Sequence, residues 1–215
     1  MSNQACLPKN TGLFFNGEFH KGDELLISRN PATGEDILEV GGASAETVDK
    51  VVGHASQAQS AWWKLDIRER VACVRKFIKE IETHADELAT LDAIDSGNPY
   101  NGMQIDIKIS LAVMDLFAGL ATEIKGESFP GSGDRINFSV REPLGVVARI
   151  IPFNHPLMFG CIKSVAPLIA GNAVIIKPSE HTPLSALRIA ELAGNLFPPG
   201  IFNVLNGGRE TGSAL

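Results

Sequence analysis

The spacing of apolar residues along the chain changes near residue 44 and again near residues 126 and 145. Residues 1–42 are punctuated by Gly, Pro and Asn. Short apolar pieces around Leu13–Phe15 and Leu25–Ile27 predict short strands or an extended arm. From Ser44 a helical period takes over, with Val48, Val51, Val52 and Ala55 at helix spacing and Trp62 and Trp63 near its end. Asp66-Ile67-Arg68-Glu69 has the form of a capping box, with Asp as the acceptor. The stripe Val71, Val74, Ile78, Ile81, Ala85 and Leu88 then predicts one helix, which Gly97 and Pro99 end. A third helix is expected over about 102–125, with Ile105, Ile109, Val113, Leu116, Leu120 and Ile124 turned inward.

Beyond it the period shortens. Ile136, Phe138 and Val140 alternate with Asn137, Ser139 and Arg141, which predicts a strand with one wet face. A turn-rich connector, Gly126 to Gly133, precedes it, and Pro143 ends it. This stretch reads as one arm of a hairpin standing off the main body. From Gly145 the pattern is βαβαβ: strands Val146–Ile151, Ala173–Lys177 and Ile201–Leu205, helices Pro156–Ala170 and Pro183–Leu196. The strands are continuous apolar runs, as expected of a parallel sheet covered on both faces. Gly212 to Leu215 reads as the start of a further helix. The expected fold is therefore α/β: an N-terminal helical segment, a protruding hairpin and the first half of a Rossmann-like parallel sheet. With strands ordered 3-2-1, the strand at Val146–Ile151 would lie at an open edge.

Composition narrows the function classes. The 215 residues are 44% hydrophobic and 20% charged, ordinary globular usage with room for a sizeable core. A net charge of −6 gives no electrostatic reason to expect a nucleic-acid or anionic-membrane partner. No apolar run approaches the roughly 18 residues of a membrane span, and Met1 to Thr11 lacks the apolar centre of a signal peptide. Cys6, Cys73 and Cys161 are odd in number and form no Cys-x-x-Cys pair, so a reducing cytoplasm is the expected compartment. Cys6 falls in a polar tail and Cys73 reads as a small buried hydrophobe. The five histidines show no metal-ligand clustering, and His84-x-x-Glu87 reads as a solvated helix face.

The chemistry concentrates where two strands end. Ile150-Ile151-Pro152-Phe153-Asn154-His155-Pro156 and Gly171-Asn172-Ala173-Val174-Ile175-Ile176-Lys177-Pro178-Ser179-Glu180 each run from a strand into a turn and a helix. Ligands of open α/β sheets bind outside the carboxyl ends of the strands. Pro156 suits the first helical position, which puts Asn154 at the helix N-terminus. There it either caps the helix or aims its amide N–H at an oxyanion. Lys177 and Glu180 either contact a nucleotide's ribose or phosphate, or are a solvated strand end. No Gly-x-Gly-x-x-Gly follows the first strand.

These segments, with Phe202-Asn203-Val204-Leu205-Asn206-Gly207-Gly208, resemble the aldehyde dehydrogenase superfamily, and the likeness runs from about Asn30 to the last residue. The resemblance implies an NAD(P)-dependent oxidation of an aldehyde to the acid, with NAD the favoured cofactor and NADP possible. It implies that Asn154 stabilises the oxyanion. Lys177, Ser179 and Glu180 would contact the adenosine ribose region. Ile150, Ile151, Pro152 and Phe153 would form the wall beside the cofactor, and Gly208 and Gly212 would admit it to the third strand. Phe153 stands where a tryptophan is common in the family. The resemblance divides the chain into an arm with helices of the cofactor-binding domain (1–125), an oligomerisation hairpin (126–143) and a Rossmann-like NAD-binding half (144–215). It also implies a small-molecule aldehyde substrate and a homo-oligomer, dimer or tetramer, for the full-length protein. The family's Gly-Ser phosphate turn, general-base glutamate and catalytic cysteine match nothing here. The expectation is a truncated or incomplete N-terminal portion, inactive alone. The alternative is a non-catalytic module that binds nucleotide or associates with full-length subunits.

Overall fold

A computed structural model describes residues 6–215. The N-terminal arm forms two hairpins, β1 (Leu13–Phe15) with β2 (Glu18–His20) and β3 (Glu24–Arg29) with β4 (Asp36–Gly42). Four helices follow: α1 (Ala45–Lys64), α2 (Ile67–Thr83), α3 (Ala85–Ser96) and α4 (Tyr100–Gly119). A small hairpin, β5 (Ser128–Phe129) with β6 (Asn137–Phe138), leads into the βαβαβ unit. That unit comprises β7 (Val146–Ile150), α5 (Pro156–Ile169), β8 (Ala173–Lys177), α6 (Leu184–Ala193) and β9 (Phe202–Val204), with α7 (Arg209–Ala214) after it.

The fold is mixed α/β, as the sequence implies. β7, β8 and β9 are parallel neighbours, with Ile150 beside Lys177 and Ile176 beside Val204. β7 lies at the sheet edge, and the arm completes the other side, since β1 pairs antiparallel with β9 in the order β2-β1-β9-β8-β7. β8 is buried along its whole length. One apolar core runs from Phe14 on the arm through Trp62, Phe77 and Leu168 to Phe202.

Several expectations need correction. The helix read as continuous from Asp66 to Gly97 is two helices. The capping box at its start is real, with Asp66 accepting from the Arg68 N–H and Glu69 reaching back to the Asp66 N–H. At His84, however, both the backbone N–H and the ring Nδ1 bond the Glu80 carbonyl and close α2. Gly97 ends α3 at φ 75°, where a side chain would be strained. The inward face of α4 carries Met103, Asp106, Ile107, Ser110, Met114 and Ala118, whereas Ile105, Ile109, Leu116, Leu120 and Ile124 are exposed and Val113 is half-buried. The packed face mixes Met103, Ile107 and Met114 with the polar Asp106 and Ser110, and Asp106 bonds His155 at the start of α5. A rule that turns the largest apolar stripe inward picks the opposite face.

The hairpin strands are two residues long, and Ile136, Phe138 and Val140 are all exposed. Cys6 is buried against Val40, Leu91, Leu184 and Leu187 and is no part of a polar tail. Glu87 is not simply solvated, because it pairs with Arg188 at 2.6 Å. The last helix starts at Arg209, three residues before Gly212. Among the described residues, no helix is long and apolar enough to cross a membrane.

Buried polar groups lock α5 from behind. Arg70 on α2 donates to the carbonyls of Ile169, Trp63 and Leu65, and Trp62 Nε1 donates to the Leu168 carbonyl. A cation at a helix C-terminus is favourable, and these carbonyls lie at the ends of α5 and α1. Arg70→Met removes the donors and leaves the carbonyls short of partners. It should lower the unfolding free energy by about 1.5–3 kcal/mol, read by urea denaturation with an unchanged m-value. A shift in the midpoint equivalent to less than about 0.5 kcal/mol would show that the carbonyls find water instead.

Candidate active and cofactor site

The site forms where β7 and β8 end side by side. The Ile151 N–H donates to the Lys177 carbonyl at 3.0 Å, which carries the parallel ladder one residue past the β7 terminus. The chain then bends through Phe153, Asn154 and His155 before Pro156 opens α5. The side chain that caps α5 is not Asn154. The Leu157 N–H donates to Asp92 Oδ2 at 3.2 Å, while Asp92 Oδ1 accepts from the Ser185 hydroxyl. Asn154 is exposed, and among the described residues its side-chain amide makes no hydrogen bond. Its backbone carbonyl accepts from Asn98 Nδ2 at 2.7 Å. Of the two roles open to Asn154, the cap is therefore filled by another residue.

The other expected residues divide into those that gather and those that do not. Lys177 is buried at the end of β8, its Nζ 3.1 Å from the Pro178 carbonyl and 3.6 Å from Glu180 Oε2. A bond from its own backbone N–H, and then the Lys177 and His181 charges, hold the Glu180 carboxyl below its usual range. Gly212 faces the stem of Lys177, and a Cβ placed there would come within 3.7 Å of it. Gly208, which precedes α7, has nothing within 4 Å of where a Cβ would sit. Lys177, Glu180 and Gly212 thus come together.

Phe153 is exposed and meets His181 edge-on at 6.4 Å, joining the loop after β7 to the loop after β8. Ile150 and Pro152 are exposed as a wall would be, but Ile151 is buried in the core and offers only its backbone. The Ser179 hydroxyl accepts from the His181 N–H, so it shapes the turn.

The sequence reading missed the acids behind the site. Asp92 and Asp95 project from α3 and are almost fully buried. Asp95 accepts from the Leu184 N–H at 2.9 Å and from the Ser28 hydroxyl at 2.6 Å, so the pair caps α6 as well as α5. The signal was available, because Leu88, Asp92 and Asp95 fall at helix spacing on one buried face. Asp95 also lines a cavity of about 570 Å³ with Arg29, Phe153, His181 and Thr182. Asn98, just after α3, and Asp106, on α4, were missed too. Among the described residues, no group of three His, Cys, Asp or Glu side chains is arranged to hold a metal ion.

Burial sets the titration of these acids. Desolvation pushes Asp92 from 3.8 up to about 7 and Asp95 up to about 6, against their hydrogen bonds, which pull the other way. The folded state therefore holds protons that the unfolded chain has released. The stability these groups contribute is fully present below 3.8 and is lost as pH rises through about 7. Urea denaturation should show the unfolding free energy falling from pH 5 to pH 8, and Asp92→Asn should flatten that slope. An unchanged slope in Asp92→Asn would place the titration elsewhere.

The thiols are poor nucleophiles. Cys161 is fully buried in α5 and burial pushes its thiol up, as it does for Cys73.

Comparison with known proteins identifies the family. A model of the aldehyde dehydrogenase family matches residues 19–215. The aldehyde dehydrogenase tropH of Talaromyces stipitatus is 41% identical over 217 residues, covering 99% of this chain and 42% of the relative. Among solved structures, PnpE from Pseudomonas sp. WBC-3 superposes with a TM-score of 0.92 at 36% identity, covering 96% of this chain and 43% of that one. PnpE has also been solved in complex with nicotinamide adenine dinucleotide. An aldehyde dehydrogenase from Bacillus cereus gives a TM-score of 0.93 at 35% identity, covering 99% and 45% of the two chains. The chain spans less than half the length of these relatives.

Proposed function

This chain belongs to the aldehyde dehydrogenase family, and from that premise we propose that the protein it forms part of oxidises an aldehyde to the carboxylic acid with NAD. The observation that carries the proposal is Asn154 itself. Its amide is exposed at the sheet edge, free of the capping duty that Asp92 fulfils. An amide held there can donate to the oxygen of a carbonyl under nucleophilic attack, where it stabilises charge that exists only during reaction.

The residues at the β8 end fit a dinucleotide. Lys177 and Glu180 present a donor and a carboxylate at the carboxyl edge of the sheet, and Gly208 and Gly212 keep the adjacent space clear. When bound, the dinucleotide would supply a hydride acceptor. Lys177 and Glu180 would hold its ribose hydroxyls, and Glu180 would repel a 2′-phosphate, which favours NAD over NADP. Phe153 would wall the nicotinamide side. The thiol that attacks the aldehyde lies outside residues 1–215 in this proposal, because Cys6 and Cys161 are buried and Cys73 is half-buried against the core. Residues 1–215 alone should then oxidise no aldehyde. The exposed hairpin at 126–143 would serve subunit association, and the protein would be cytoplasmic.

In the full-length enzyme, Asn154→Ala should lower kcat by about 10²–10³-fold and leave the NAD affinity nearly unchanged. NADH formation with a panel of aldehydes measures it. A kcat within twofold of wild type would remove Asn154 from the chemistry. Glu180→Gln should do the reverse: weaker NAD binding, little change at saturating cofactor, and relaxed discrimination against NADP. Turnover by residues 1–215 that disappears in Cys161→Ser would overturn the assignment of the nucleophile.

A further inference from the structure

Asn154 reaches the sheet edge on a loop with little support of its own. From Pro152 to His155 the chain forms no strand or helix, and Pro152, Phe153 and Asn154 are exposed. Two side chains from outside the βαβαβ unit hold this loop. Asn98, in the turn between α3 and α4, donates from Nδ2 to the Asn154 carbonyl at 2.7 Å. Asp106, buried on α4, sits 2.6 Å from Nδ1 of His155, the residue directly after Asn154. Both contacts act just after the Asn154 Cα: Asn98 on the peptide that joins Asn154 to His155, and Asp106 on the His155 side chain. Asn98 is itself set in place by Ser96, whose hydroxyl accepts from the Asn98 N–H at 3.3 Å.

We propose that Asn98, with Asp106 acting through His155, is a positioning residue that fixes the backbone of Asn154 and so aims its amide at the reacting oxygen. The inference rests on the catalytic role proposed for Asn154. An amide donor stabilises an oxyanion only within a narrow range of distance and angle, and a misplacement of about 1 Å can cost about 10²-fold in rate. The Asn154 side chain has no protein partner among the described residues, so its direction is inherited from its backbone. Asn98 and Asp106 are the side chains that restrain that backbone from outside the loop.

A double-mutant cycle in the full-length enzyme tests this. Asn98→Asp keeps the shape and removes the N–H donor. It should lower kcat by about 10-fold or more while the KM for NAD stays within about twofold. In an Asn154→Ala background the same substitution should change kcat by less than about twofold, because the amide it positions is gone. Asp106→Asn, combined in the same way, should show the same non-additivity, which keeps the test open should either variant fold poorly.

The outcomes separate the two claims. If Asn154→Ala lowers kcat but the Asn98 and Asn154 losses multiply independently, Asn98 is merely structural and this inference is overturned. If Asn154→Ala leaves kcat intact, the role proposed for Asn154 falls, and the inference falls with it.

Discussion

At the N-terminus of α5 the Asp92 carboxyl accepts the Leu157 N–H, and at its C-terminus the Arg70 guanidinium donates to the Ile169 carbonyl. Acid at the first turn and base at the last is the arrangement a helix dipole favours. Both side chains are buried, so the surrounding dielectric is low and their hydrogen bonds are costly to leave unmade. α5 follows β7 directly, and the bend that joins them carries Asn154. Fixing α5 therefore fixes where that bend ends, and the bond from the Ile151 N–H to the Lys177 carbonyl fixes where it begins.

The clamp is assembled from distant parts of the chain. Arg70 comes from α2, Asp92 and Asp95 from α3, Asp106 from α4 and Ser28 from the arm. Residues 6–125 are thus more than a lead-in to the βαβαβ unit. They supply the polar groups that satisfy the helix ends behind the sheet edge, and β1 pairs with β9 on the far side of the sheet. Asp92 and Asp95 each also accept a serine hydroxyl, so both oxygens of each carboxyl are used. In this scheme Asn154 is spared from structural duty because Asp92 performs it.

Much of this fold could be read from the sequence, and the reasons are specific. The strand β8 is legible as an apolar run because it is buried along its whole length, whereas β7 is an equally apolar run that lies part-exposed at the sheet edge. Pro156 marks the start of α5 by the rule for first helical positions. Asp66 and Glu69 formed the box their spacing implies. The failures share a cause. Apolar periodicity alone assigns a helix face by its own residues, but α3 and α4 bury Asp92, Asp95 and Asp106, whose carboxyls have partners on other elements. A pattern confined to one helix carries no record of such partners. The same blindness left Asn98 unnoticed, since its importance lies in a carbonyl 56 residues away in sequence. Ile151 belongs to a motif whose neighbours face outward, while its own side chain turns into the core.

The central claim is that Asp92 holds the first turn of α5 as part of the core. Native-state hydrogen exchange at the Leu157 amide tests it most directly. First-turn amides of a helix without a side-chain cap exchange through local fraying, at opening energies far below that of global unfolding. The account predicts that the Leu157 N–H exchanges only through global unfolding, with the same denaturant dependence as the buried amides of β8. Fast exchange at Leu157, independent of denaturant, would show that the turn frays on its own and that the carboxyl does not fix the loop bearing Asn154.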